Sequence, residues 1–182
     1  PSRHVTVGPS RAPHRSYYYA MGLTEEQINR PFVGVVSCWN EAAPCNISLM
    51  RQAQSAKAGV NEAGGTPREF CTITVTDGIA MGHQGMKSSL VSREVIADSI
   101  ELTMRGHCYD ALVGIAGCDK SLPGTMMAML CLNVPSVFMY GGSMLPGSWR
   151  GQPVSAVSSY EGVGAVYAGE MTEATLADIL YR

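Results

Sequence analysis

Three consecutive residues of this chain, Cys118, Asp119 and Lys120, carry a thiol, a carboxyl group and an amine. They follow a short apolar run, residues 111–116, which is typical of a buried strand in a parallel sheet. In open α/β sheets, ligands bind just beyond the carboxyl ends of the strands. Because thiolates bind soft metals and carboxylates bind hard ones, this segment is a candidate site for metal chemistry. The triplet alone also permits a structural role, in which Asp119 caps a turn and pairs with Lys120.

Residues of similar type follow two other predicted strands. Cys45 lies in a Pro-Cys-Asn turn before a helix, where the helix dipole favours a thiolate. Asp77 opens a glycine-punctuated loop that also contains His83. The carboxyl ends of parallel strands share one edge of the sheet, so Cys45, Asp77 and the Cys118 segment are expected to converge on one site. On the pattern alone, Cys45 can also be an inert thiol, Asp77 a turn stabiliser and His83 a hydrogen-bonding loop residue.

The elements that must position these residues alternate between strand and helix. This order predicts an α/β fold with a doubly wound, mainly parallel sheet and helices on both faces. The fourth strand ends in Gly141 and Gly142, which allow the backbone to approach a ligand, although the full phosphate-loop pattern is absent. The predicted strands cover residues 31–38, 70–75, 111–116 and 136–140, and the predicted helices lie at 47–63, 88–104, 126–132 and 158–168 and after Thr172.

Two predicted helices have an apolar side that is expected to pack on the sheet. Asn46 is expected to cap the first of them. The inward residues of the first helix are predicted to be Leu49, Ala53, Ala56 and Val60. Those of the second are predicted to be Val91, Val95, Ile96, Ile100 and Leu102. Residues 175–182 are typical of a further amphipathic helix without a C-terminal cap, which predicts that the chain is part of a larger protein.

The composition is that of an ordinary globular domain of 182 residues, with 46% hydrophobic residues and a net charge of -2. This near-neutral charge gives no electrostatic basis for binding nucleic acid or an anionic membrane. No apolar stretch reaches the ~20 residues of a transmembrane helix, and the amino-terminal residues lack the apolar core of a signal peptide. A cytoplasmic location is therefore expected, and an organellar targeting segment upstream of Pro1 stays open.

The chain has six cysteines, and none of them forms the Cys-x-x-Cys pair of a zinc ribbon. A disulfide scaffold is not expected in a chain of this size without an export signal. Cysteines in loops are the candidates for metal binding, whereas cysteines in or beside apolar runs are predicted to pack in the core. The second group consists of Cys38, Cys71, Cys108 and Cys131.

Four segments taken together resemble the dihydroxy-acid dehydratase and phosphogluconate dehydratase family. The resemblance extends over nearly the whole chain. The Asp-Gly-Ile-Ala-Met-Gly-His loop, and the Leu-Pro-Gly that follows Lys120, are more similar to the branched-chain dihydroxy-acid dehydratases than to the sugar-acid members. The four segments are residues 44–46, 77–83, 92–94 with 96–99, and 117–120.

This resemblance implies an iron–sulfur cluster and a magnesium ion (Mg²⁺). Cys45 and Cys118 are implied as two of three cysteines that hold the cluster, which can be of the 2Fe-2S or the 4Fe-4S type. Asp77, Asp119 and a carbamylated Lys120 are implied as magnesium ligands. Carbamylation suits this role because it turns a cationic amine into an anionic oxygen ligand, which a hard cation accepts.

The resemblance also implies that part of the machinery lies beyond Arg182. The third cluster cysteine and a serine that acts as the catalytic base are both expected there. Residues 1–182 are then an N-terminal α/β domain that carries part of the site, without the C-terminal domain of the family. The isolated chain is accordingly expected to be inactive.

The implied activity is the dehydration of a 2,3-dihydroxy carboxylic acid to a 2-keto acid in branched-chain amino-acid biosynthesis, which makes valine and isoleucine. Magnesium is implied to hold the carboxylate and the 2-hydroxyl group, and an open iron site to act as a Lewis acid on the 3-hydroxyl group. A homodimer is the implied assembly. Two other functions stay open: a sugar-acid (aldonate or phosphogluconate) dehydratase of the same family, and a non-catalytic α/β binding or assembly module.

Overall fold

Residues 1–181 are described by the computed structural model, so Arg182, which ends the predicted helix at 175–182, lies outside the described residues. The chain divides into two compact units, Pro1–Ser143 and Met144–Arg182. All the candidate site residues belong to the first unit. None of the described helices has both the length and the apolar character needed to span a bilayer.

The first unit consists of a sheet with helices around it. Its strands are β1 (Phe32–Ser37), β2 (Thr66–Cys71), β3 (Ala111–Ala116) and β4 (Ser136–Tyr140). Its helices are α1 (Arg3–Thr6), α2 (Ala12–Ala20), α3 (Glu25–Asn29), α4 (Leu49–Glu62), α5 (Asp77–Ala80), α6 (Met86–Gly106) and α7 (Ser121–Leu132), and 3₁₀ turns lie at Pro9–Arg11 and Pro44–Asn46.

The sheet has the order β2-β1-β3-β4, and every neighbouring pair of strands is parallel. Successive residues of a strand point to opposite faces. On one face, a Cβ atom at Gly34 would lie 2.5 Å from the Met104 sulfur on α6. On the other face, Val33 and the α4 residue Val60 both lie close to Gly65. Helices therefore cover both faces, and the predicted α/β fold with a doubly wound parallel sheet is confirmed.

The strand order reverses between β1 and β3. The connection through α4 leads from β1 to β2 on one side, whereas the connections through α6 and α7 lead to β3 and β4 on the other. The loops after β1 and β3 therefore leave the sheet towards opposite faces. Such a reversal opens a crevice at the carboxyl edge, where proteins of this architecture bind ligands.

Three predicted strands are confirmed, but the prediction for β2 is displaced towards the carboxyl end. It was expected at residues 70–75 and lies at Thr66–Cys71. Cys71 is paired with Ser37, the last residue of β1, so the β-branched residues that follow Cys71 have no strand beside them. β2 is also an edge strand, which tolerates Pro67 because the missing N–H group faces away from β1.

The core lies between the two central strands and the helices. On α4, Leu49 and Ala53 are fully buried, as predicted. On α6, Ile96 and Ile100 are fully buried and Met104 is 2% exposed, so residues spaced by four form the inward side. The prediction for the rest of that helix is wrong, since Val91, Val95 and Leu102 are exposed. These three residues lie on other sides of the helix, one to two positions out of phase with the buried row.

The second unit contains a hairpin and two helices, whose bounds are β5 (Gly147–Trp149), β6 (Gln152–Val154), α8 (Ala156–Tyr167) and α9 (Glu173–Leu180). Arg150 and Gly151, which join the strands, both have positive φ angles, as the tight turn of a two-residue hairpin requires. α8 packs on α9 at Gly162, where an added Cβ would lie 2.7 Å from the side chain of Leu176. Both helices confirm the sequence prediction.

Candidate metal centre

Cys45 lies in the loop between β1 and α4, within the 3₁₀ turn Pro44–Asn46. The side chain of Asn40 shapes this loop, because its Oδ1 accepts hydrogen bonds from the backbone N–H groups of Ala42 and Ala43, each at 3.0 Å. The turn leaves Cys45 only 9% exposed. The thiol is thus held at the carboxyl edge of the sheet, next to the crevice.

Cys118 lies in the loop between β3 and α7. Its backbone N–H donates a hydrogen bond to Ser121 Oγ at 3.0 Å, and Ser121 Oγ donates to the Cys118 carbonyl at 3.0 Å. The backbone N–H of Leu122 also donates to that carbonyl, at 3.1 Å. The first turn of α7 therefore fixes the backbone of Cys118, which is 6% exposed.

The two thiols meet in a small buried cluster that contains Ala43, Cys45 and Cys118. Burial raises the pKa of the Cys45 thiol to about 12, and its hydrogen bond and charge repulsion with Cys118 act in the same direction. Cys45 therefore keeps its proton at neutral pH. A metal that binds here must displace that proton, which is the usual requirement for a cysteine ligand.

A charged group lies at the same edge of the sheet. Lys120 Nζ lies 2.7 Å from Asp77 Oδ2 and also forms a short contact with the carboxylate of Asp119. Asp77 is the first residue of α5, and its Oδ1 accepts a short hydrogen bond from the hydroxyl of Ser89 on α6. The side chains of Lys120 and Asp77 are 19% and 16% exposed. The structure thus brings together the three residues that were predicted to bind magnesium.

The charges of this group support one another. Burial would raise the pKa of Asp77, but Asp119, the Lys120 ammonium and the Ser89 hydroxyl together lower it to about 2. The pKa of Lys120 is raised, first by its hydrogen bond with Asp119 and then by that with Asp77. In this arrangement Lys120 is a cation between carboxylates. The two carboxylates are therefore paired with Lys120, which must lose its proton before it can become a carbamate.

His83 is exposed, and its two side-chain hydrogen bonds within the described residues are to nearby backbone groups. Its Nδ1 accepts a hydrogen bond from the backbone N–H of Gly85 at 3.0 Å, and its Nε2 donates to the carbonyl of Ile79 at 2.8 Å. Both bonds are satisfied by one neutral tautomer. This is the loop-bonding interpretation that the sequence favoured.

The glycines after β4 contact the loop that carries Cys118. A Cβ at Gly142 would lie 2.1 Å from the Cα of Gly117, and a Cβ at Gly117 would lie 2.4 Å from the Cys45 carbonyl oxygen. Gly141 is held by α4, since Gln52 Nε2 donates to its carbonyl at 2.9 Å. The glycines therefore allow backbone to pack against backbone, which is a structural reason for their presence at this edge.

The remaining cysteines do not form one class. Cys38 is fully buried, and burial raises the pKa of its thiol to about 11. Cys71 and Cys131 are exposed, and Cys108 is partly exposed. The predicted core position is therefore confirmed for Cys38 and wrong for Cys71 and Cys131. Cys71 lies at the end of an edge strand and Cys131 on the outer side of α7, where an apolar neighbourhood in sequence does not produce burial.

Two residues near the centre make contacts that sequence reasoning did not predict, since Asn46 and Ser89 were considered only as helix caps. Asn46 is fully buried beneath its loop and does not cap α4, which has Ser48 in the capping position. Ser89 is fully buried and contacts Asp77, from which it is separated by the whole α5 segment. No spacing rule links either residue to its contacts, because they arise from the folding of separate loops onto one edge.

The donor chemistry fits the cofactors that the family resemblance implies. Among residues 1–181, no group of three or more histidine, cysteine, aspartate or glutamate side chains is arranged to hold a metal ion. The chain instead offers two partial sets, the thiols of Cys45 and Cys118 and the carboxylates of Asp77 and Asp119. Thiolates suit an iron–sulfur cluster and carboxylates suit Mg²⁺. Each set requires further ligands.

Comparison with known proteins identifies the family of this chain. Residues 30–181 match the family model described as "Dihydroxy-acid/6-phosphogluconate dehydratase N-terminal". The chain belongs to the dihydroxy-acid/6-phosphogluconate dehydratase family. The resemblance that its motifs indicated is therefore confirmed, and the chain corresponds to the N-terminal region of this family.

Individual relatives in the dihydroxy-acid/6-phosphogluconate dehydratase family are closely similar. The chain is 78% identical over 176 residues to dihydroxy-acid dehydratase of Parvibaculum lavamentivorans, with 97% of the chain and 31% of that protein covered. It is 74% identical over 179 residues to dihydroxy-acid dehydratase 2 of Mesorhizobium japonicum, with 98% and 30% covered. It is 72% identical over 182 residues to dihydroxy-acid dehydratase of Dinoroseobacter shibae, with 100% and 31% covered. The chain therefore spans under a third of the length of these relatives.

Proposed function

We propose that this chain is the N-terminal part of a hydro-lyase that converts a 2,3-dihydroxy carboxylic acid into a 2-keto acid. The observation that carries the proposal is the convergence of a buried thiol pair and a carboxylate–lysine group at the carboxyl edge of one sheet. Family membership and relatives named dihydroxy-acid dehydratase support the same reaction class. The relatives' names specify a dihydroxy acid. The branched-chain substrate, with a role in valine and isoleucine synthesis, is favoured over a sugar acid by the resemblance of the loop at residues 77–83 and of the Leu-Pro-Gly after Lys120.

The residues of this chain divide the work between two cofactors. Cys45 and Cys118 would hold an iron–sulfur cluster, and Asp77, Asp119 and a carbamylated Lys120 would hold Mg²⁺. When bound, these groups supply Lewis acidity towards the oxygen atoms of the substrate. The loops after β1 and β3 carry the two thiols, and burial limits their access to water.

The protein groups act by binding and orientation. Lys120 must first release a proton and its ion pairs. Its neutral amine can then form an N–C bond with carbon dioxide and lose a second proton to give the carbamate, and the carboxylates of Asp77 and Asp119 become free to bind a cation. The reaction removes the C2 proton and the C3 hydroxyl group as water, and the resulting enol tautomerises to the keto acid, so no net oxidation occurs. The base for the C2 proton is expected outside these residues, and the proposed homodimer stays a prediction.

The test uses the protein at the full length of its relatives, purified without oxygen and supplied with magnesium. We expect 2-keto acid from 2,3-dihydroxyisovalerate, with iron and sulfide present in the same sample. Preference for aldonic acids would assign the protein to the sugar-acid branch. Absence of iron, sulfide and turnover, even after cluster reconstitution, would contradict the proposal and leave a non-catalytic binding module.

A pair of cysteine variants sharpens this test. Cys118→Ser removes a buried thiol of the proposed cluster site, and we expect it to lose most of the iron and at least about a hundredfold in activity. Cys131→Ser is the matched control, because Cys131 is exposed on α7. Equal iron content in the two variants would show that Cys118 does not hold the cluster.

A further inference from the structure

The side chain of Asn46 connects three loops of the candidate centre. Its Nδ2 donates a hydrogen bond to the carbonyl of Cys38, at the end of β1, and another to Thr74 Oγ1 at 2.8 Å. Thr74 lies in the segment that leads from β2 to Asp77, and its hydroxyl also donates to the Cys38 carbonyl at 3.3 Å. One amide therefore joins the loop that carries Cys45 to the loop that carries Asp77.

The other side of the same amide faces the loop of Cys118. A Cβ at Gly117 would lie 3.0 Å from Asn46 Oδ1, so the amide packs against the backbone immediately before Cys118. The Cys45 carbonyl oxygen at 2.4 Å and the Gly142 Cα at 2.6 Å leave no space for a side chain at Gly117, and Asn46 Oδ1 closes the same space from a third direction. Gly117 packs against both the carbonyl oxygen of Cys45 and the side-chain amide of Asn46. These two contacts therefore fix the position of the Cys118 loop relative to Cys45.

Stability alone does not account for an asparagine at this position. Asn46 is fully buried, and its Oδ1 has no hydrogen-bond partner among residues 1–181. A buried acceptor without a partner is unfavourable. The same side chain contacts all three ligand-bearing loops. A buried polar group that joins several ligand-bearing segments in this way is typical of a residue that fixes the geometry of a site.

We infer that Asn46 is a positioning residue that sets the spacing of the Cys45 and Cys118 thiols. Its link through Thr74 also holds the segment that leads to Asp77. The meaning of this spacing for a cluster rests on the proposed function. The spacing itself is a property of the polypeptide and can be measured on cluster-free protein.

The experiment uses cluster-free, full-length protein in which the exposed or partly exposed Cys71, Cys108 and Cys131 are replaced by serine. The rate at which dibromobimane crosslinks Cys45 to Cys118 is measured relative to the rate at which monobromobimane alkylates the same two thiols, because both are buried and this ratio removes differences in exposure and protonation. Peptide mapping identifies the bridge. We expect Asn46→Ala to slow this crosslinking by about tenfold, because small displacements strongly reduce reactions that depend on proximity. An unchanged rate in a folded variant would overturn the inference.

Three further variants separate positioning from general stability. Thr74→Val removes one acceptor of the Asn46 amide and is expected to slow crosslinking less than Asn46→Ala, whereas Thr74→Ser keeps the hydroxyl and should restore the rate. If Asn46→Ala does not fold, the contrast between these two Thr74 variants decides the question, and equal rates would overturn the inference.

Thr66→Val is the matched control, because Thr66 is buried and its hydroxyl donates a hydrogen bond to the Gln27 carbonyl at 2.6 Å, at the amino edge of the sheet. Slower crosslinking in this control would also count against a specific role of Asn46.

A second measurement links the spacing to the cofactor. In reconstituted wild-type protein and Asn46→Ala, the electron paramagnetic resonance spectrum and reduction potential of the cluster are compared. We expect both to change in the variant, and identical values would overturn the inference for the loaded protein. Wild-type protein that binds no iron would contradict the proposed function, while the crosslinking rates would still test the position of Asn46.

Discussion

The two edges of the parallel sheet use polar groups in different ways. At the amino edge, Asp110 lies just before β3, and its carboxylate accepts hydrogen bonds from the backbone N–H groups of Phe32 at 2.8 Å and Ser2 at 2.9 Å. The backbone N–H of Asp110 in turn donates to the Phe32 carbonyl at 2.7 Å. Asp110 thus extends the ladder between β1 and β3 by one residue.

At the carboxyl edge, the polar groups are less fully matched. Two of the three buried side-chain atoms without a hydrogen-bond partner among the described residues lie here, the Oδ1 atom of Asn46 and the Oε1 atom of Gln52; the third is Nδ1 of His14 on α2. Asp77 is bonded to the side chains of Lys120 and Ser89, which can rearrange, whereas Asp110 is bonded to backbone. The difference indicates that the amino edge is built for stability, while the carboxyl edge keeps groups that can exchange partners when a ligand binds.

The closest packing at the carboxyl edge gives the largest expected effect. Gly142→Ala would place a Cβ atom 2.1 Å from Gly117 Cα and 2.3 Å from its carbonyl oxygen, and neither is a flexible side chain. We expect the free energy of unfolding to fall by about 3 kcal/mol, as in overpacked cores. Urea denaturation of the variant and wild type measures this change. A loss below about 1 kcal/mol, which is typical of ordinary surface changes, would show that the loop after β4 moves freely away from Gly117.

The second-largest loss of stability is expected at the amino edge, where Asp110 accepts hydrogen bonds from backbone N–H groups. Asp110→Ala leaves the N–H group of the fully buried Phe32 without its acceptor, and an unpaired buried donor costs about 2 kcal/mol. Thermal and urea unfolding of this variant should show that loss without any change in the spacing of the Cys45 and Cys118 thiols. A loss of metal binding in Asp110→Ala would contradict the division between the two edges.

The pH dependence of stability provides a second measurement on Asp110. Burial would raise its pKa, but the hydrogen bonds that its carboxylate accepts from the backbone N–H groups of Ser2 and Phe32 lower it. Because the folded pKa lies below the unfolded value of about 4, the stabilisation is complete above that pH and is lost as the pH falls through the folded pKa. Asp110→Asn, which does not titrate, should show a smaller loss of stability in this acid range than the wild type. An identical acid profile would show that Asp110 contributes little to it.

The contrast between the edges also shows which features were predictable from sequence. β3 and β4 are apolar runs bounded by turn residues, and their predicted bounds coincide with the observed ones. β2 was displaced because its ends depend on where β1 ends, which is a long-range property. On α6, apolar residues lie on more than one side of the helix, so the sequence did not distinguish the side that packs on the sheet. Val91 and Val95 are exposed although they are apolar like the buried Ile96.

For the candidate centre, the strand ends were informative because parallel strands must share an edge. This rule correctly anticipated that Cys45 would lie close to Cys118, and Asp77 close to Lys120. Their roles as ligands stay predictions. The supporting contacts of Asn46 and Ser89 were not anticipated, and the expected capping role of Asn46 was wrong. These contacts depend on how separate loops fold onto one another, and no local pattern encodes them.

The smallest expected effect is a gain in stability, and it serves as the control for Gly142. Gly59 lies in the interior of α4, is exposed, and would meet no atom within 4 Å if it carried a Cβ. Gly59→Ala should raise the free energy of unfolding by about 0.5 to 1 kcal/mol, because alanine loses less backbone freedom on entering a helix. The same substitution then has opposite signs at two glycines of one unit, depending only on what surrounds the added methyl group. Urea unfolding of both the 182-residue chain and the full-length protein measures this change. A variant that is destabilised only in the full-length protein would mean that another part of that protein covers this side of α4, whereas destabilisation in both would contradict the prediction.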